Sequence, residues 1–125
     1  MNPREWDNLG TMLCYHRRYA LGDQTGLPMV NAILIESRSE VDGEAALVLP
    51  LYLYDHGGLS ISTEPFSCPF DSGKIGIIYA TYNAIRKEYG KKRISKKILT
   101  AARERLVAEV AEYNAYLHGD EAEAE

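Results

Sequence analysis

Apolar and polar positions alternate in four stretches of this chain and recur every three or four residues in three others. The two periods draw the plan of the molecule. In "TMLCYHRRY", residues 11 to 19, Met12, Cys14, His16 and Arg18 alternate with Leu13, Tyr15, Arg17 and Tyr19, and the aromatic content is that of a strand. "AALVLPLYLYD" (45 to 55) sets Leu47, Leu49, Leu51 and Leu53 on one face and Val48, Pro50, Tyr52 and Tyr54 on the other. Pro50 has no N–H to give to a ladder, which predicts an edge or a bulge there. "LSIST" (59 to 63) follows across Gly57-Gly58, a pair that supplies the positive φ of a tight hairpin, so these two strands should be antiparallel neighbours. "KIGIIYAT" (74 to 81) is the fourth strand, with Gly76 permitting a bulge or a close backbone approach.

The helical period comes in three places. "PMVNAILIESRSE" (28 to 40) fits Met29, Val30, Ile33 and Leu34 to one helical face behind Pro28, a favoured first residue, and helix is the favoured reading, with a strand the alternative its β-branched content leaves open. "YNAIRKEY" changes to the 3.6 period and stops at Gly90. Ser95 caps a last helix, with Ile94 and Leu99 spaced as a hydrophobic staple, and Ile98, Ala102, Leu106, Val110, Tyr113 and Leu117 form its apolar stripe. The plan is an α+β domain over residues 1–119. It has an antiparallel sheet of about four strands, with one early helix and two C-terminal helices packed on one face.

Composition leaves that plan in place: 125 residues are enough for one core, and 46% hydrophobic with 26% charged residues is ordinary for a globular chain. No apolar run approaches the roughly 20 residues of a membrane span, and "MNPREWDNLG" lacks a signal-peptide core. A cytoplasmic protein is expected, with Cys14 and Cys68 as reduced thiols.

Charge changes the picture more. The net charge is −4, and Asp120, Glu121, Glu123 and Glu125 account for all of it, so residues 120–125 read as an acidic disordered tail on a neutral body. Inside that body, "RKEYGKKRISKKILTAARER" (86 to 105) holds nine Lys or Arg against two Glu. Lys91, Lys92, Arg93, Lys96 and Lys97 gather at a helix start, where the macrodipole favours acids, so local stability does not account for them. With Arg103 they form a candidate contact for nucleic-acid phosphates or an acidic protein surface, set against a plain solvated face.

Two further groupings carry chemistry on paper. Cys14, His16, His56 and Cys68 offer two thiolates and two imidazoles, a tetrahedral zinc set without the usual CxxC spacing. Cys68 as nucleophile, His56 or His16 as base and Asp55 or Asp71 as orienting carboxylate would make a thiol hydrolase. Local roles explain the same residues: Asp55 and His56 at a hairpin, Asp71 in an Asx turn, Cys14 and Cys68 packed. No catalytic residue, metal or cofactor is therefore assigned. A homodimer through a free strand edge or an apolar tyrosine face is also expected.

"NLGTMLCYHRRYALGD" (8 to 23), "LYLYDHGGLSIS" (51 to 62) and "PFSCPFDSGKIGIIY" (65 to 79), with the final helix ending "VAEYNAYLHGD", resemble a family of small proteins encoded by bacteriophages, prophages and mobile elements. Members of that family often continue past "YLHGD" into aromatic-rich sequence where this chain reads "EAEAE". The resemblance implies phage origin and an accessory role in the bacterial host cytoplasm. It brings no catalytic residue with it. The function expected from residues and resemblance together is binding to a host protein or nucleoprotein, for example inhibition of a defence system such as CRISPR-Cas. A small thiol-dependent or metal-assisted hydrolase using Cys68, His56 and Asp55 is the alternative.

Overall fold

The computed structural model describes residues 2–15, 21–23, 29–67 and 72–119. Within them a short 3-10 helix at Pro3–Glu5 precedes β1 (Thr11–Cys14), α1 (Met29–Arg38), β2 (Glu40–Val41), β3 (Glu44–Asp55), β4 (Leu59–Ser62), β5 (Ser72–Thr81), α2 (Tyr82–Tyr89) and α3 (Lys96–Leu117). Every strand pair is antiparallel: β1 joins β5, β5 joins β3, and β2 and β4 both lie along the other edge of β3. The α+β architecture is the one the sequence predicts. The sheet has five strands rather than about four because β2 is only two residues long, below the reach of any period. Its turn is nonetheless written in Asp42-Gly43, whose φ values of 52° and 81° suit the Asp-Gly pair of a tight hairpin.

β3 is the spine of the sheet. Its alternation holds, with Leu49, Leu51 and Leu53 buried on one face. Along the outer edge, β2 pairs with Glu44 and Ala45 and β4 with Tyr52 to Asp55. Pro50 falls in the gap between them, where a missing N–H costs no ladder bond. On the other side the register slips between Leu51, which faces Gly76, and Tyr52, which faces Lys74, so β5 carries one extra residue, Ile75. The bulge returns Ile75 to the face occupied by Ile78 and leaves Ile77 on the opposite one. Gly76 is required at that point: a Cβ there would lie 2.0 Å from the carbonyl oxygen of Leu13.

Two cores result, one on each face of the sheet. The larger joins Met12, Cys14, Leu49, Leu51, Leu53, Ile61, Ile75 and Ile78 to Ile85 of α2 and to Ala102, Leu106, Val110 and Tyr113 of α3. The smaller joins Leu13 and Ile77 to Ala32 of α1, flanked by Ile35, Val48 and Tyr79. The early helix therefore packs on the face opposite the two late ones, which corrects the expectation of a single helical layer. The side of α1 that faces the sheet is also different from the expected one. Ala32 turns inward, its small side chain allowing close approach, while Met29, Val30, Ile33 and Leu34 face outward, Val30 at 60% exposure. A ten-residue helix that is apolar nearly all round can seat either side, and periodicity alone does not choose.

The start of the chain is fastened to α3 through buried charge. Glu109 is 2% exposed, and its Oε2 accepts the backbone N–H of Leu9 at 2.8 Å while Oε1 accepts that of Gly10 at 3.0 Å. Arg4 donates to Glu109 at 3.4 Å, to the Gly10 carbonyl at 2.8 Å and, through Nε and Nη2, to both oxygens of Asp23 at 2.8 and 2.7 Å. Burial alone would lower the pKa of Arg4, but its hydrogen bonds and charge contacts with Asp23 and Glu109 more than offset this and hold it above the ordinary value. Asp23 also accepts the Met12 N–H at 2.8 Å and donates its own N–H to the Met12 carbonyl at 2.9 Å, so it occupies outward backbone groups of the β1 edge. At the other edge the side-chain oxygen of Asn114 accepts the Ile61 N–H at 2.8 Å.

Candidate binding surface

The basic segment begins where α2 ends. Gly90 takes the left-handed conformation, φ 64°, that closes a helix, and the Lys91 N–H returns to the Arg86 carbonyl at 3.1 Å. The Arg86 side chain then reaches forward: Nε donates to the Lys92 carbonyl at 3.0 Å, and Nη1 is steadied by Asn83 at 2.8 Å. Ser95 caps α3 by accepting the Ile98 N–H at 3.2 Å. The four residues between Gly90 and Ser95 thus bridge two capped helix ends and are held midway by a guanidinium.

Lys91, Lys92, Arg93, Lys96, Lys97 and Arg103 are all exposed. Among the described residues they resemble Arg38, Arg86 and Lys87 in having no ion pair, and differ from three other cations. Arg4 pairs with Asp23 and Glu109, Lys74 with Glu36, and Arg105 with Glu88 at 3.0 Å and Glu109 at 3.1 Å, whereas no described carboxylate pairs with any of the six. Hydrogen bonding to Glu36 is the main reason the Lys74 pKa lies above its ordinary value. These six side chains therefore carry their charge at the surface without an ion-pair partner among the described residues.

The helical step divides them. Lys97 lies with Ile98 and Ala101 beside a groove of about 460 Å³ at the α2–α3 corner, which Tyr89, Lys91, Arg93 and Ser95 complete. Lys96 and Arg103, seven residues apart, lie along the adjoining flank of α3. Sequence reasoning found the charges but missed the floor. Ile98 reads as part of the core stripe, and both Ile98 and Tyr89 do pack partly against the larger core while still presenting a side to the groove. A second groove of about 480 Å³ lies between α1, the β2 turn and the outer sheet face, lined by Arg38, Asp42, Tyr79 and neighbours.

Of the chemically suggestive residues, Cys14 and His56 lie far apart. Cys14 is buried in the larger core, where desolvation pushes its thiol up to about 12. It lies opposite Gly76, which lies opposite Leu51, and His56 is five residues further along that chain in the exposed β3–β4 turn. At ~3.3 Å per strand residue the two are about 17 Å apart along the sheet alone. No single tetrahedral zinc, with ligand bonds of ~2.0–2.3 Å, can take both. His56 donates its backbone N–H to the Gly58 carbonyl at 3.1 Å and stacks on Tyr54, which stacks in turn on Phe66, with ring centroids 5.9 and 5.5 Å apart. Asp55 pairs with Leu59 in the hairpin ladder. His16, Cys68 and Asp71 lie outside the described residues, as does the 120–125 tail. Among the described residues no three His, Cys, Asp or Glu converge as a metal-binding group, and no helix is long and apolar enough to cross a membrane.

Comparison with family models, with curated proteins and with solved structures gives no match to this chain.

Proposed function

We propose that this protein acts by binding an anionic surface of a host protein or nucleoprotein through the 86–105 basic segment, as an accessory factor of phage type whose target lies in a bacterial defence complex such as CRISPR-Cas. The supporting observation is the organised, uncompensated charge. Lys91, Lys92, Arg93, Lys96, Lys97 and Arg103 stay exposed and unpaired among the described residues, the first three on a loop fixed by Gly90, Arg86 and Ser95 and the others on the first turns of α3. Fixing the loop in advance lowers the ordering cost that a flexible basic tail meets on association. The motif resemblance to phage-encoded proteins supplies the host context and nothing about the contact itself.

The test is retention of a partner from bacterial host lysate, followed by affinity measurement across a salt series for the intact protein and for the triple variant Lys92→Glu, Arg93→Glu, Lys96→Glu. Binding should weaken with salt, since exposed charges are screened within roughly 10 Å at 0.1 M ionic strength, and the variant should bind on the order of tenfold or more weakly. Equal affinities and equal salt slopes for the two proteins would end the proposal. Cys68→Ser should leave binding and biological effect intact. Loss of effect in a folded Cys68→Ser protein would favour the hydrolase instead.

A further inference from the structure

We infer that the α2–α3 groove takes an acidic peptide segment of a partner protein, one that inserts a large apolar side chain between flanking carboxylates; this rests on the binding role proposed above and names the chemistry of its ligand. The groove has two unlike parts. Its floor is apolar, made by Ile98, Ala101 and the ring of Tyr89, and its rim is cationic, made by Lys91, Arg93 and Lys97. A volume of about 460 Å³ is enough for a Leu or Phe side chain with part of its backbone. An apolar centre inside a charged rim is the anatomy of a protein–protein hot spot, in which an apolar anchor fills a pocket and the charges around it set orientation and partner choice.

A nucleic-acid ligand matches only half of this. Phosphates would satisfy the rim, but a sugar–phosphate backbone gains little from an aliphatic floor. Single-strand binders supply successive aromatic faces for base stacking, whereas one tyrosine beside Ile98 and Ala101 offers a single ring. A peptide uses both parts: each Å² of apolar surface it buries on the floor contributes about 25 cal/mol, and its Asp or Glu side chains meet cations that have no described carboxylate partner. Lys96 and Arg103, on the adjoining flank, then serve as long-range attraction rather than as groove contacts.

Four probes separate the outcomes: a peptide of glutamate alone, the same peptide with a central Leu-Phe pair, oligo(dT) of equal charge, and heparin. The Leu-Phe peptide should bind on the order of tenfold more tightly than the glutamate peptide. Ala101→Trp fills the floor while leaving every charge in place, and should erase that difference without changing the affinity for glutamate alone. If Ala101→Trp proves unfolded by circular dichroism, Ala101→Gln makes the same test with a smaller, polar filler. Equal, salt-dependent binding of both peptides would overturn the peptide groove and leave the broader binding role standing. Oligo(dT) binding tighter than either peptide, and unaffected at position 101, would assign the surface to nucleic acid. Failure of all four probes, heparin included, at low salt would overturn the binding role itself.

Discussion

Arg4 and Glu109 meet at 3.4 Å with side chains only 3% and 2% exposed, so the first and last parts of the fold are joined through a buried ion pair. The pair does not stand alone: Glu109 also accepts two backbone N–H groups and the Nε of Arg105, and Arg4 also holds Asp23 and the Gly10 carbonyl. Replacing Glu109 by Leu would leave the Leu9 and Gly10 amides without their acceptor and strip the buried Arg4 guanidinium of one of its two carboxylate partners. The expected cost is about 3 to 5 kcal/mol, the range for removing one partner of a buried pair. Urea denaturation measures it, and a loss under ~1 kcal/mol would mean that water reaches the site.

Alkaline pH should weaken the fold through Cys14. Its thiol titrates near 9.0 when unperturbed and is pushed by burial to about 12 in the folded chain. Below the lower value both states carry the proton and pH has no effect through this group. Above it the unfolded chain gives up the proton and the folded chain keeps it, so stability falls between about pH 9 and pH 12. Tyr15 and Tyr113 are also raised, chiefly by burial, and act in the same direction, so the comparison that isolates the thiol is with Cys14→Ala. The variant should show a shallower decline of unfolding free energy with pH, and parallel curves would contradict the assignment.

Two substitutions test the larger core and the β1–β5 pairing beside it. Leu106 is fully buried, and Leu106→Ala should cost about 2 to 5 kcal/mol by chemical denaturation. Gly76→Ala attacks from the backbone side, since its methyl would press on the Leu13 carbonyl at 2.0 Å. The strand pair must open or the bulge must move, and a loss of about 1 to 3 kcal/mol follows. A Gly76→Ala protein as stable as the parent would show that β1 can shift without cost.

The basic segment should be dispensable for folding. Lys92→Glu, Arg93→Glu and Lys96→Glu together should leave the thermal midpoint unchanged or slightly higher, because the side chains are exposed and an acid at position 96, in the first turn of α3, is favoured by about 0.3 to 1 kcal/mol. Arg86→Ala is the contrasting change: it frees the Lys92 carbonyl and should loosen the loop, seen as faster amide exchange at Lys91 to Arg93. A large drop in midpoint for the triple variant would show that the cations hold the fold rather than face a partner.

The difference between what was legible in the sequence and what was not follows range of interaction. Leu47 to Leu53, the Gly57 turn, the Ser95 cap and the Gly90 stop all act on their own neighbours, and each stands where pattern and turn chemistry put it. Glu109 was not legible. It sits beside the Leu106 and Val110 stripe with the look of a solvated helix residue, and what buries it is supplied by Arg4, Leu9 and Gly10 from about a hundred residues away. Outward seating of Met29, Val30, Ile33 and Leu34 was hidden for a similar reason, since the choice between two apolar sides of α1 is made by Leu13, Ile77 and Val48. The basic cluster was legible as charge. Its apolar floor was not, because Ile98 and Tyr89 serve the core and the groove at once.

The bond from Glu109 back to residues 4, 9 and 10 also sets a clock on synthesis. A chain leaves the ribosome from its N-terminus, so Arg4 and the Leu9 and Gly10 amides emerge about a hundred residues before their acceptor does. β1 faces a similar wait, because its partner β5 begins only at Ser72. The hairpin of β3 and β4 can close early on local contacts, while the first strand must be held open until most of the chain has followed. Nascent chains arrested shortly before residue 109 should therefore show the 2–15 stretch open to protease, and arrest far enough beyond it to clear the exit tunnel should close that stretch in one step.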